Sequence, residues 1–470
     1  MTKSLLLKTG ALPALALLAG TALSSATTYT WVAASGTWNG SANWQPATVP
    51  ASSGTAVINN SGTAFINTGY AGTVAVASIG DATGGSGRLQ IDGGSLTATD
   101  QVNVGSGTSS SGTLILNSGT FLAGNISGIV LGGFTGATGS AAINGGFLSA
   151  AGGIDVGFDA RATGSLTMNS GTMNTVATTS IGDSGTGSVL ITGGTVFSNI
   201  TTIGASAGSS GTLRMTGGAW SGSGNFTVGS SGTGTVEIDA GTRLSTINAI
   251  VGTATTGRGT ITINGGTWTS SGSTTVGSLG SNATLTIENG ALVTATSVKL
   301  GLGNALRSSN TNSVIVTGDG SQYVISATLT VGNFGSNNTV TVEDGALFKI
   351  GQSGTGGIVF SAQSGVTGNF LRIDGGFVAL SGNQTSQVSS FLSAGKIQIW
   401  DSGSSAWVNA NGNVDFTVTY YNGNDQAAFD ATGYHGLGSY TVLTSIPEPG
   451  SCVLVGLGVG ALWVARRRRG

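Results

Sequence analysis

The chain has 470 residues, of which 84 are glycine, about 18% against the roughly 7% of an ordinary domain. Charged residues make up only 7%, apolar residues 39%, and mean hydropathy is +0.26, which excludes a charged disordered chain, a coiled coil and a nucleic-acid binder with a basic face. Five prolines without a Gly-X-Y period exclude collagen, and a single cysteine excludes a disulfide scaffold and a cysteine-rich zinc site.

Residues 1–26 read as a secretory signal peptide. Lys3 and Lys8 supply the positive start, residues 12–18 are almost wholly apolar, and Ser24, Ser25 and Ala26 are small enough for cleavage. Residues 27–78 read as an N-terminal cap and the first coils of a repeat. They carry Trp31, Trp38 and Trp44, then short alternating segments at 56–59 and 64–67. A tryptophan-rich start of this kind covers an otherwise open sheet edge.

A period of about 25 residues fills 79–376. One marker is an aliphatic residue followed by glycine, as in Ile79-Gly80, Val104-Gly105, Val156-Gly157, Val228-Gly229 and Val331-Gly332. The other is an alternating strand closed by a glycine-bearing turn, as in Leu89-Gln90-Ile91-Asp92-Gly93-Gly94 and Ile261-Thr262-Ile263-Asn264-Gly265-Gly266. Each unit reads as strand, turn, strand, turn. A unit this small cannot enclose a core alone, so its neighbours must stack. The fold class that follows is all-β: a parallel β-solenoid of about twelve coils with β-rich caps. At roughly 4.8 Å per coil the twelve make a rod of roughly 60 Å.

Two columns stand out when the repeats are aligned. Two residues after the closing glycine come Leu96, Phe121, Leu148, Met173, Val196, Trp220, Arg243, Trp268, Leu292, Gln322, Leu347 and Val378, a mostly apolar set expected to point inward. Two residues before it come Asp92, Asn117, Asn144, Asn169, Thr192, Thr216, Asp239, Asn264 and Glu288, turn-forming residues among which consecutive Asn suit a hydrogen-bonded ladder. Stacking also accounts for the missing charge. Each side chain meets its own copy about 4.8 Å away, where like charges repel by about 1 kcal/mol even at water's dielectric.

From 377 the period is lost. Residues 377–445 read as a β-rich C-terminal cap, with a short helix at 385–394 and strands at 396–400, 406–409, 416–420 and 439–443. Residues 446–470 open with Pro447, Glu448 and Pro449. They continue as an apolar run at 452–465, shorter than the roughly 20 residues that span a bilayer squarely, and end in Arg466, Arg467, Arg468 and Arg469, a membrane stop-transfer signal. Without the two ends the chain keeps 10 basic and 17 acidic residues, a body of −7 with scattered charges and no nucleic-acid partner.

This tail resembles the PEP-CTERM sorting signal of Gram-negative bacteria, a tail also described as an ice-binding protein C-terminal domain. The resemblance implies a transmembrane helix recognised by an exosortase, a membrane cysteine protease or transpeptidase that cuts near the motif. The tryptophan-rich opening with its glycine-rich repeats is similar, less specifically, to autotransporter passenger-type β-helix proteins.

Candidate chemistry is sparse. His435, the only histidine, has Asp430 near it in sequence but no nucleophile elbow, and Cys452 lies in the sorting segment. β-Solenoids also carry polysaccharide lyases and hydrolases, which cluster carboxylates along one face. Asp239 and Glu288 share a column but sit two coils apart with Asn264 between them, and Asp155 and Asp159 share one loop with Arg161. Ice binding requires a flat array of Thr-x-Thr copies. Thr97-Ala98-Thr99 and Thr294-Ala295-Thr296 qualify singly, and the equivalent coils between them do not. Trp220 and Trp268 share a column in which core packing outweighs sugar stacking.

The sequence therefore reads as an exported surface or extracellular-matrix β-solenoid, structural or adhesive and not an enzyme. No catalytic, cofactor-binding or metal site is assigned. Its expected partners are an exosortase and extracellular polysaccharide, and its expected route is an inner-membrane intermediate followed by the cell surface. A carbohydrate-active β-helix enzyme is the alternative, and an ice-binding protein the second.

Overall fold

The computed structural model describes residues 26–124, 128–352, 356–411, 416–422 and 438–445. The expected signal segment up to residue 25, His435, Asp430, Cys452, the Pro-Glu-Pro motif, the apolar run expected to enter the membrane and the arginine tail lie outside the described residues. Among those described, no helix is long and apolar enough to cross a membrane.

The body is a parallel β-solenoid with three strands per coil. On the first face fifteen strands stack among the described residues, from Ser35–Thr37 to Ile397–Asp401. The rod is therefore about fifteen turns, on the order of 70 Å long. Twelve coils cover only 79–376: the first-face strands Ser35–Thr37 and Asn60–Asn67 precede that stretch and Ile397–Asp401 follows it. The second face begins after the closing glycine, at strands such as Thr267–Ser270. The third holds strands such as Ile154–Val156 and ends at the aliphatic-glycine marker. The strand-turn-strand-turn reading misses this third strand, which is only three or four residues long in most coils and carries too little alternation to register.

Alternation places the core. Leu89 and Ile91, like Leu285 and Ile287, are fully buried. The inward column of the second face is correct for Leu96 to Trp220 but slips by one residue in four coils. Leu244, Val293, Tyr323 and Phe348 are the buried residues there, whereas Leu292 is 39% exposed. The slip comes from a longer corner. Thr242 N–H donates to the Asp239 carbonyl, Ala291 N–H to Glu288 and Ala346 N–H to Glu343. At two of these corners both central residues have positive φ, Asn289 with Gly290 and Asp344 with Gly345, the Asn-Gly and Asp-Gly turn. Arg243 and Gln322, anomalous in the sequence column, are thus outward neighbours of the true core residues. Leu347 also points outward and is buried only because the strand Tyr440–Ser445 covers it.

Both ends are closed. Trp31, Trp38 and Trp44 are buried at the N-terminal end, with Trp44 packed edge-on against Trp31 at 4.9 Å and against Trp38 at 4.8 Å. Trp44 Nε1 donates to the Trp38 carbonyl, so a residue of the short strand Trp44–Gln45 is pinned across the first coil. At the other end Tyr440–Ser445 and Ala406–Asn409 pair antiparallel with the last coil, and the helix Thr385–Ser393 buries Val388.

Candidate functional site

Inward positions are spent on packing, so the chemistry lies on outward columns and corner loops. The polar column forms the expected ladder. Asn117 Nδ2 donates to Asp92, Asn144 to Asn117 and Asn169 to Asn144, each at 2.7 Å, and the Thr192 hydroxyl donates to Asn169 at 2.8 Å. Asp239, Asn264 and Glu288 follow one another in register as expected. Asp239 is held by Arg214 at 3.1 Å and by Asn264 at 3.2 Å, and Arg214 also meets Glu237 at 3.3 Å. Arg214 and Glu237, stacked in register, are opposite in sign. Glu343 and Asp374, paired in register, are both acidic, and burial followed by the neighbouring Asp344 and Asp374 carboxylates pushes the Glu343 carboxyl above its usual range.

Trp220 and Trp268 are both fully buried, with Leu244 between them, so neither offers a ring to a ligand. The isolated Thr-x-Thr segments do not build an array: Thr97 faces Leu122, and Thr294 lies between Thr269 and Val324. The array is elsewhere, at the start of the first-face strands between Ser111 and Thr233. Ser111, Thr138, Thr163, Thr186, Ser210 and Thr233 stand in register and exposed. Two residues on, Thr113, Ser140, Ser165, Ser188, Thr212, Thr235 and Thr260 form a second hydroxyl column. The columns run at about 4.8 Å per step and lie about 6.6 Å apart. Glycine stands between the two hydroxyls in every row, and this hid the array in the sequence, where Ser/Thr-Gly-Ser/Thr reads as a turn. The next outward column on that face (Ile115, Ala142, Thr167, Leu190, Arg214, Glu237) is mixed under the same stacking constraint. Stacking alone therefore does not select hydroxyls.

Asp155 and Asp159 do not share a loop, since Asp155 stands on the third-face strand Ile154–Val156, but both line one cavity. Asn103, Val130, Asp155 and Ser180 follow one another in register along the third face. The loops that leave this face fold in turns, with Ala137 N–H donating to Phe134 and Ala162 N–H to Asp159. They wall a groove of about 540 Å³ over Asn103 and Asp155, lined also by Gln101, Phe134, Phe158 and Asp159. Burial raises the Asp155 carboxyl to about 6, the Ser180 hydrogen bond opposes this, and the Asp183 carboxylate one coil on raises it further. Asp183 is itself raised, chiefly by burial, against a hydrogen bond from Ser184. Asp159 accepts from Ala160 N–H at 2.7 Å.

Asp155 and Asp159 thus share a groove, whereas Arg161 turns at the loop with φ of 65° and is not part of the lining. Phe134, Phe158 and Asp183 were not singled out from the sequence. A phenylalanine within two residues of the aliphatic-glycine marker in successive coils was the available signal, because those positions mostly carry small or polar residues. Among the described residues no cluster of three or more His, Cys, Asp or Glu is placed to hold a metal ion. The chain matches no family model, no curated protein and no solved structure.

Proposed function

We propose that the protein is an exported bacterial surface or extracellular-matrix β-solenoid, structural or adhesive in role, delivered through its PEP-CTERM-like tail by an exosortase. The observation that carries the adhesive part is the outward surface of the rod, on which two columns of hydroxyls and a ladder of amides repeat coil after coil. A single neutral hydrogen bond contributes about 1 kcal/mol net, so one such contact holds nothing against water. A repeating surface against a repeating polysaccharide multiplies the contacts and converts weak bonds into avidity.

The sorting part rests on Pro447, Glu448 and Pro449, the apolar run at 452–465 and Arg466 to Arg469, which hold the chain in the inner membrane before cleavage and release to the surface. Glu448→Ala tests it: the variant accumulates unprocessed in the inner membrane, and normal processing of it overturns the sorting reading. A second reading, ice binding, is favoured by the in-register Ser/Thr-Gly-Ser/Thr rows. Thermal hysteresis in a solution of the purified protein supports that reading, and its absence dismisses it.

A further inference from the structure

The groove beside Asp155 has features that packing does not require. Phe158 shares its corner position with Ser106, Gly133, Asp183, Ala205, Ser230, Thr253, Ser278 and Leu302, each donating its N–H to the corner glycine carbonyl of the coil before. All but Phe158 and Leu302 are small or polar, and Phe158 is the one aromatic ring among them. Phe158 is 44% exposed and Phe134, from the preceding coil, is 55% exposed. Burying a phenylalanine stabilises a fold by about 1.5–3 kcal/mol, and these two rings forgo much of that. They line instead a groove in which Asn103, Val130 and Asp155 follow one another in register, with Gln101 and Asp159 also in its lining. A concavity of this volume with aromatic walls and a few convergent polar groups is the usual form of a small-molecule site.

We infer that the groove is a binding subsite for a short segment of neutral glycan, with the rings of Phe134 and Phe158 against the C–H faces of the sugars and Asn103, Gln101 and Asp155 bonding their hydroxyls. The chemistry fixes the class. Asp155, Asp159 and Asp183 give the site a negative field that disfavours uronic acids, sulfated sugars and phosphates, while sugar hydroxyls donate well to carboxylates. Flat aromatic faces suit the apolar side of a pyranose and lose little side-chain entropy on binding, because each phenylalanine has few rotatable bonds. The inference rests on the adhesive reading and names its partner.

The test is calorimetric titration of the full chain with cellohexaose, laminarihexaose, mannohexaose and chitohexaose, with hexagalacturonate as the acidic counterpart. At least one neutral hexaose binds. F134A/F158A weakens that binding at least tenfold with an unchanged melting temperature, and Asp155→Ala weakens it severalfold. The inference is overturned if no neutral hexaose binds, if the double variant binds as tightly as the parent, or if hexagalacturonate binds equally well. Release of new reducing ends from a bound hexaose also overturns it, in favour of a hydrolytic site. Co-sedimentation of the same proteins with extracellular polymer from producing cells separates the two levels. Retention of parent and double variant alike leaves adhesion standing and removes the groove, whereas retention of neither removes adhesion.

Discussion

Coils of the first two-thirds of the rod and coils of the last third stack in the same register but close their corners with different chemistry. In the first region the inward residue at the start of each first-face strand is glycine: Gly87, Gly112, Gly139, Gly164, Gly187, Gly211, Gly234 and Gly259 stand in one column. A Cβ at Gly187 would collide with Gly182 N and the Val156 carbonyl, so the corner closes backbone against backbone. One residue ahead of Ser313, Thr339 and Phe370 the same place is held by Asn312, Asn338 and Asn369, all fully buried. Asn312 N–H and Nδ2 both donate to Asn338 Oδ1, at 3.0 and 2.8 Å, and Asn338 does the same to Asn369, at 2.9 and 3.0 Å. Ala283 marks the change between the two.

The difference teaches what a coil requires. Its corner must fill space and satisfy the backbone groups that the turn leaves open, and either a bare backbone or an amide does so. Coils with the amide also have room for longer loops. First-face strands from Ser111 to Arg258 start 23 to 27 residues apart, and those from Thr284 to Phe370 start 26 to 31 apart.

Exchanging the two chemistries breaks the comparison most directly. Gly187→Asn should destabilise the protein by on the order of 3 kcal/mol, because overpacking meets backbone that cannot yield. Tolerance of it in chemical denaturation would show that the glycine column is not close-packed. Asn338→Ala should cost about 3 kcal/mol, since it strips the acceptor from two buried donors of Asn312. A loss below about 1 kcal/mol would show the amide column to be incidental.

Charge probes the glycine region by a different route. The Asp155 carboxyl, raised to about 6 by burial, stabilises the fold while protonated. That contribution is full below the unfolded value near 4 and is lost as pH rises through about 6, roughly 3 kcal/mol in all. Asp155→Asn should therefore equal the parent at pH 4 and exceed it at pH 7 by that amount in thermal or chemical melts. Glu343→Gln, in the amide region, should shift stability in the same direction by less. Smallest of all is the outer ladder: Asn144→Ala removes two exposed amide bonds and should cost about 1 kcal/mol, which separates it from the buried Asn338.

Much of the fold was legible because a repeat writes the same physics many times. Ile261 and Ile263 alternate into the core, Asn117, Asn144 and Asn169 stack, and three tryptophans close one end. What was not legible depended on one residue of register or on contacts between coils. The slip that buries Val293 and exposes Leu292 follows from positive φ at Asn289, which Asn permits but does not announce. The buried Asn column sits in loops of unequal length, so no fixed period exposes it. Of the groove, Asp155 and Asp159 were visible as neighbouring carboxylates, although Asp155 belongs to a strand and not to the loop. Phe134 and Phe158 were not, because their meeting depends on loops from successive coils.

On the proposed function, a rod with a repeating outward surface is joined to a tail that a sorting protease would cut. Intact mass of the protein recovered from the surface of producing cells tests that union most directly. The predicted mass ends near Pro447-Glu448-Pro449, with the apolar run and Arg466 to Arg469 removed. A surface protein that retains residues 452–469 would contradict it and make the tail a permanent anchor.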